Sequence, residues 1–158
     1  MHTHTLKFDT DFTPGVKAAI GLYDLAWRFF LPFLHLNKRL LAGWAQRRLK
    51  DAPLHADFWL QAASAGEAYL ALEIINTLTP PTPIQVLVTT NTTQGMEILS
   101  KARANLHTAR QDIRMTARYF PFDRPRMMKL MVDAVRPRLV GLLETELWPG
   151  LLLSLIHI

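Results

Sequence analysis

The chain has 158 residues, a formal net charge of +5 at pH 7 from 18 basic and 13 acidic residues, and no cysteine. That length suits one ordinary domain with a real core, and a composition of 49% hydrophobic and 20% charged residues reads as globular rather than disordered. The lack of cysteine excludes a disulfide scaffold and a thiolate metal site, and it fits a reducing compartment.

The charge is uneven. Residues 1–55 carry eight basic residues against Asp9, Asp11, Asp24 and Asp51. A basic segment of this kind meets phosphate, on nucleic acid or on lipid, or serves as solubilising surface. The opening MHTHTLKFDTDFTPG is polar, lacks the apolar stretch of a secretory signal, and reads as a disordered terminus over 1–15. His2 and His4 lie on it, and two histidines do not define a metal site.

Residues 16–36, VKAAIGLYDLAWRFFLPFLHL, predict an amphipathic helix. Lys17, Asp24, Arg28 and His35 fall on one stripe with Gly21, and Ile, Leu, Tyr, Trp and Phe fill the remainder. The uncharged run is too short for a comfortable transmembrane span. The helix either lies in a membrane interface, with Tyr23 and Trp27 at the surface, or packs on the protein's own core with Asp24 and Arg28 as an i,i+4 pair. Pro32 should kink or end it. LNKRLLAGWAQRRLK, 36–50, predicts a second short basic helix, so that 16–50 forms one amphipathic and basic unit.

From residue 57 strands and helices alternate. DFWLQAA reads as a strand, EAYLALEIINTL as a helix, IQVLVTT as a strand, MEILSKARANL as a helix, DIRMTARYFPF as a strand, RPRMMKLMVDAV as a helix and RPRLVGLLETE as a strand. Short loops between such elements predict an α/β domain: an open Rossmann-like parallel sheet with helices on both faces. Ligands in such sheets bind beyond the carboxyl ends of the strands. Those ends are SAGE, TTNTTQG, FPFD and ETELWPG.

Three of these ends, SAGE, TTNTTQG and ETELWPG, have both a structural and a chemical reading. Ser64 and Glu67 have the spacing of a capping box. Equally, Glu67 is a carboxylate at a helix N-terminus, where the helix dipole favours an anion, and it can act as a base. Gly66 lets a ligand approach the backbone. Thr89 to Gly95 can cradle an anion or simply cap a helix. Neither G-x-x-x-x-G-K-[ST] nor G-x-G-x-x-G occurs, which disfavours a dinucleotide oxidoreductase. Glu144 and Glu146 point the same way from an extended segment, and two acids leaving an apolar strand are costly unless paired or used. Pro149 holds Trp148 extended and suits the first position of a new helix.

In this order, ASAGE at 63–67, the TT-x-T run at 89–92 with Gly95, PFD at 121–123 and ETELWPG at 144–150 resemble the N-terminal domain of the 3-deoxy-D-manno-octulosonic acid (Kdo) transferases of lipopolysaccharide synthesis. The resemblance runs from about residue 16 to about 152, and ETELWP is its most specific part. It implies half of a GT-B glycosyltransferase, spanning 56–158, that handles a lipid A precursor as acceptor, while a second domain binds the donor CMP-Kdo. Glu67 matches the family's general base and Glu144 a residue that stabilises the transition state. Ser64, Gly66, Thr90, Asn91, Thr92, Gly95, Glu146 and Trp148 fall around the substrate. The reaction inverts the anomeric centre and requires neither metal nor cofactor. The opening segment matches a membrane-anchoring helix, more polar here than usual. The implied location is the cytoplasmic face of the bacterial inner membrane, and the implied partners are donor, acceptor and membrane surface, not nucleic acid. Ala65, Gln94, Phe122 and Gly150 depart modestly from the family pattern. The chain ends within LLLSLIHI with no stop signal. That ending reads as a truncation lacking the donor domain and predicts a fragment inactive by itself, and SLIHI does not resemble the family. Two other readings stand beside this one: a non-catalytic module that binds phosphorylated lipid at a membrane surface, and part of a different sugar-nucleotide GT-B enzyme.

Overall fold

The computed structural model describes residues 13–51, 55–143 and 148–156. The N-terminal segment forms helix α1 (Pro14–Phe30), a 3-10 turn (Phe33–Leu36), and two four-residue helices, α2 (Lys38–Leu41) and α3 (Trp44–Arg47). Strands β1 (Phe58–Ala62), β2 (Ile84–Thr90), β3 (Ile113–Tyr119) and β4 (Leu139–Leu142) then make one sheet in the order β3-β2-β1-β4, with every pairing parallel. Helices α4 (Ala65–Thr77), α5 (Thr93–Ala109) and α6 (Pro125–Val135) connect successive strands, and α7 (Pro149–Leu155) follows β4.

The sheet is covered on both faces because its strands alternate between two apolar partners. Leu60, Ala62, Val86, Val88 and Met115 point to the layer formed by Ala68, Ala71 and Ile75 of α4 and Leu99 of α5. Trp59 and Leu87 point the other way, to Met128, Met131, Val132 and Val135 of α6 and Leu151 of α7. Near-continuous apolar strands are what a parallel sheet buried on both faces requires. The last strand is shorter than RPRLVGLLETE predicts. It spans Leu139–Leu142, and although the Leu143 N–H still donates to the Gln61 carbonyl at 3.0 Å, Glu144 and Glu146 lie outside the described residues.

The N-terminal segment departs from expectation twice. The single basic helix expected over 36–50 is two short helices, α2 and α3. Gly43 breaks them apart with φ +69°, and a Cβ at Gly43 would stand 1.9 Å from the Tyr119 ring. Only glycine accepts both that conformation and that approach. The Asp24–Arg28 pair expected within α1 is replaced by a bidentate bond from Arg124, at the N-cap of α6, with Nε and Nη2 donating to the Asp24 carboxylate at 2.7 and 3.1 Å. That guanidinium holds the Asp24 carboxyl below its ordinary range. Beside this pair the Tyr23 hydroxyl donates to Asp123 at 3.0 Å, and Trp27 packs on Phe122 with ring centroids 5.9 Å apart.

Helix α1 is therefore packed on the domain, but not by its apolar face. It buries no residue fully, and it leaves Leu22 at 68%, Leu25 at 58% and Phe29 at 65% exposed. Among the described residues no helix is long and apolar enough to cross a membrane.

Candidate active site at the strand ends

In the order β3-β2-β1-β4 the chain runs outward from β1 in one direction and then returns to add β4 on β1's other side. The connections after β1 and β4 thus diverge, and the crevice between them is where an open α/β sheet binds its ligand. The segments that follow those two strands are SAGE and ETELW.

On the β1 side, Ser64 is the N-cap of α4, and its backbone N–H donates to Glu67 Oε2 at 2.5 Å. Glu67 thus closes its half of a capping box. The box uses one carboxylate oxygen, and among the described residues nothing donates to the other. Gly66 is exposed, and a Cβ there would touch only Ser64 Oγ at 3.7 Å. The fold does not need glycine at 66, whereas an approaching ligand would profit from it.

The β2 turn lies alongside. Asn91 N–H donates to the Ala63 carbonyl at 3.2 Å, and a Cβ on Gly95 would stand 2.3 Å from Thr90 Oγ1 and 3.3 Å from the Ser64 carbonyl. Gly95 is thus what lets the two turns touch. Thr92 caps α5 by accepting from the Gly95 N–H at 3.0 Å, which fulfils the capping reading of this run. Asn91, Thr92, Thr93 and Gln94 also line a cavity of about 300 Å³, which Arg39 of α2 closes from the other side. A guanidinium facing a helix N-terminus makes an electropositive hollow.

Two buried side-chain atoms lack a hydrogen-bond partner among the described residues, Gln61 Nε2 and Thr90 Oγ1, and both sit at the carboxyl ends of β1 and β2. Gln61 is held from behind: Trp59 Nε1 donates to Thr89 Oγ1 at 2.8 Å, and that hydroxyl donates to Gln61 Oε1. Unanswered buried polar atoms are few in native proteins and mark strain or function. A larger hollow of about 490 Å³, lined by Ile84, His107, Arg110 and Arg114, opens at the opposite, amino end of the strands.

On the β4 side Trp148 is the N-cap of α7 and stacks on Phe120 at 5.0 Å, so its ring packs against the α6–α7 core. The helix that begins there is held by a residue quoted in PFD but given no role by sequence, Asp123. Its buried carboxylate accepts from Gly150 N–H and Leu151 N–H, both at 2.8 Å, as well as from Tyr23. Burial pushes the Asp123 carboxyl above its ordinary value, and the three donors act against that shift. A Cβ on Gly150 would meet the Asp123 carbonyl at 2.6 Å, so the PFD and WPG motifs are two halves of one contact.

Arg47 is the second residue that sequence misplaced. It reads as one of the surface cations of 38–50 but is 3% exposed. Its guanidinium donates to the carbonyls of Ala42, Phe120 and Asn91, the last at 2.7 Å, and lies 4.7 Å from the Tyr119 ring centroid. Three carbonyls and an aromatic face, rather than a carboxylate, hold this cation, and burial lowers its pKa. It stitches the basic segment to the ends of β2 and β3. His2 and His4 lie outside the described residues, among which no cluster of three or more metal-ligating side chains occurs.

This topology, with Glu67 and the hydroxyl-rich β2 turn at the carboxyl ends of its strands, defines a Rossmann-like domain. Residues 35–157 match the 3-deoxy-D-manno-octulosonic-acid transferase (kdotransferase) family, and the chain belongs to it as an N-terminal domain. Among curated proteins it is 30% identical over 93 residues to a 3-deoxy-D-manno-octulosonic acid transferase of Rickettsia bellii, covering 58% of this chain and 20% of that protein. It is 26% identical over 137 residues to a bifunctional glycosyltransferase/methyltransferase of Fusobacterium nucleatum subsp. nucleatum, covering 83% of this chain and 20% of that one. The chain spans about a fifth of the length of these relatives. No solved structure matches it.

Proposed function

We propose that the chain is the acceptor-side domain of an inverting glycosyltransferase that moves Kdo from CMP-Kdo to a phosphorylated lipid A precursor at the cytoplasmic face of the bacterial inner membrane. The observation that carries this reading is Glu67: a carboxylate at the switch point of a chain of this family, with one oxygen fixed by the Ser64 N–H and no donor to the other among the described residues. A base held in this way can take the proton from an acceptor hydroxyl as that oxygen attacks the anomeric carbon. The hollow between Arg39 and the N-terminus of α5 suits a phosphate or sugar carboxylate. On this reading Glu144 offsets charge in the transition state, Glu146 and Trp148 contact substrate, and a second domain presents the donor.

The test is Kdo transfer by this domain joined to a donor-binding half, followed by mass spectrometry. Glu67→Gln should lower turnover about 10²–10⁴-fold, the usual cost of losing a general base. The fold should survive, because the amide oxygen still accepts from Ser64. Near-normal turnover would return Glu67 to capping alone.

One observation supports a second reading, a non-catalytic membrane-surface module. The outward residues Leu22, Leu25, Phe29, Phe33 and Leu36 precede four exposed cations, Lys38, Arg39, Arg48 and Lys50. Such a surface suits an anionic bilayer. Vesicle co-sedimentation tests it: Leu25→Asp should abolish binding, and binding equal to the wild type would return this face to ordinary solvated surface.

A further inference from the structure

Helix α1 ends at Phe30, and Pro32, which has no N–H, turns the chain back so that Leu34 of the 3-10 turn comes over the end of α1. The result is a groove of about 270 Å³ lined by Tyr23, Ala26, Trp27, Phe30 and Leu34. Its floor is fixed from behind. The Tyr23 hydroxyl is tied to Asp123, Trp27 rests on Phe122, and the Tyr23 and Trp27 rings meet edge to face at 6.3 Å. A surface helix that merely partitions into lipid needs no such support.

We propose that this groove seats one acyl chain of an anionic bilayer lipid, an inference that rests on the membrane-surface reading above. The chemistry of the groove selects its occupant. Its one hydroxyl is spent on Asp123, so a peptide laid there would leave its own backbone polar groups unanswered. A methylene chain asks for no partner. Charge selects the headgroup. Between residues 13 and 50 the one acid, Asp24, is bound to Arg124, while Lys17, Arg28, Lys38, Arg39, Arg48 and Lys50 are exposed. An acyl chain held against the core by α1 would fix the depth and tilt of the domain, which outward side chains alone would leave free to roll.

The test uses vesicles of phosphatidylcholine and phosphatidylglycerol, the latter brominated at mid-chain, which quench a nearby indole. Trp27's share is the difference from the matching Trp27→Phe protein. Ala26→Leu fills the groove without touching the outward face or the cations. It should cut Trp27 quenching at least threefold while vesicle partition stays within twofold of the wild type. Leu34→Ala, which removes a wall instead, should also lower the quenching, so the result does not hang on one variant's folding. Unchanged quenching in both variants, or quenching that falls only in proportion to partition, would overturn the groove and leave the membrane reading standing. A wild-type chain that binds no vesicles would sink both, whereas the Glu67→Gln assay judges the transferase reading separately.

Discussion

Helices α1 and α6 touch each other, and both are amphipathic, yet they use their apolar faces in opposite ways. Helix α6 drives Met128, Met131, Val132 and Val135 into the sheet. Helix α1 docks by Tyr23, Asp24 and Trp27, and turns Leu22, Leu25 and Phe29 to solvent. Amphipathicity thus says that a helix has a face to bury and not what will bury it. For α6 the sheet is in reach and burial of apolar area decides. For α1 the contact is made by a charge pair, a phenol and an indole, and the apolar side remains available.

The comparison breaks most sharply by truncation. Met131→Ala in α6 should destabilise the domain by about 2–5 kcal/mol in chemical denaturation, from lost transfer energy and the cavity left behind. Leu25→Ala in α1 should fall within about 0.5 kcal/mol of the wild type, since exposed side chains add little. Equal losses would mean that α1 buries its apolar face after all.

Asp123→Ala should follow in size. It strands the Gly150 and Leu151 N–H groups and the Tyr23 hydroxyl, at roughly 1–3 kcal/mol for a buried donor left unpaired. Limited proteolysis should then find both α1 and the start of α7 loosened together. If only one of them loosens, Asp123 does not link them. Asp24→Asn should cost about 1 kcal/mol or less, because the pair is partly exposed.

The smallest effects are in pH, and here the two acids have opposite signs. The Asp24 carboxyl is held down by Arg124, so its contribution is present above the unfolded value, about 3.9, and is lost as pH falls through the folded one. The Asp123 carboxyl is pushed up by burial, so its contribution is full below about 3.9 and is lost as pH rises through its folded value. Stability measured against pH should lose its acid limb in Asp24→Asn and its decline above about 3.9 in Asp123→Asn. The same profile in both variants would mean that neither group titrates as its surroundings require.

Much of the site was legible because capping chemistry is local. Ser64 and Glu67 stand three residues apart, and that spacing alone closes the box. Thr92 and Gly95 do the same for α5. Asp123, Arg47 and Tyr23 were not legible in their roles. Their partners lie at Gly150, Asn91 and Asp123, separated by 27, 44 and 100 residues. A lone Asp in FPFD carries no spacing signal for a helix it will cap after another helix and strand have intervened. An arginine within AQRRLK looks like its exposed neighbour Arg48 until Tyr119 and two strand ends close over it.

The sequence by itself determined the alternation of strands and helices, the burial of both sheet faces, the break at Pro32 and the caps at α4 and α5. Each follows from the period or spacing of residues a few positions apart. Only the tertiary structure decided that β4 adds beside β1 rather than at the far edge beyond β3. It alone decided that Arg47 is interior and that α1 meets the domain by Asp24 and Tyr23 rather than by its leucines. Those outcomes depend on which surfaces compete for one another in three dimensions, and no spacing along the chain records that competition.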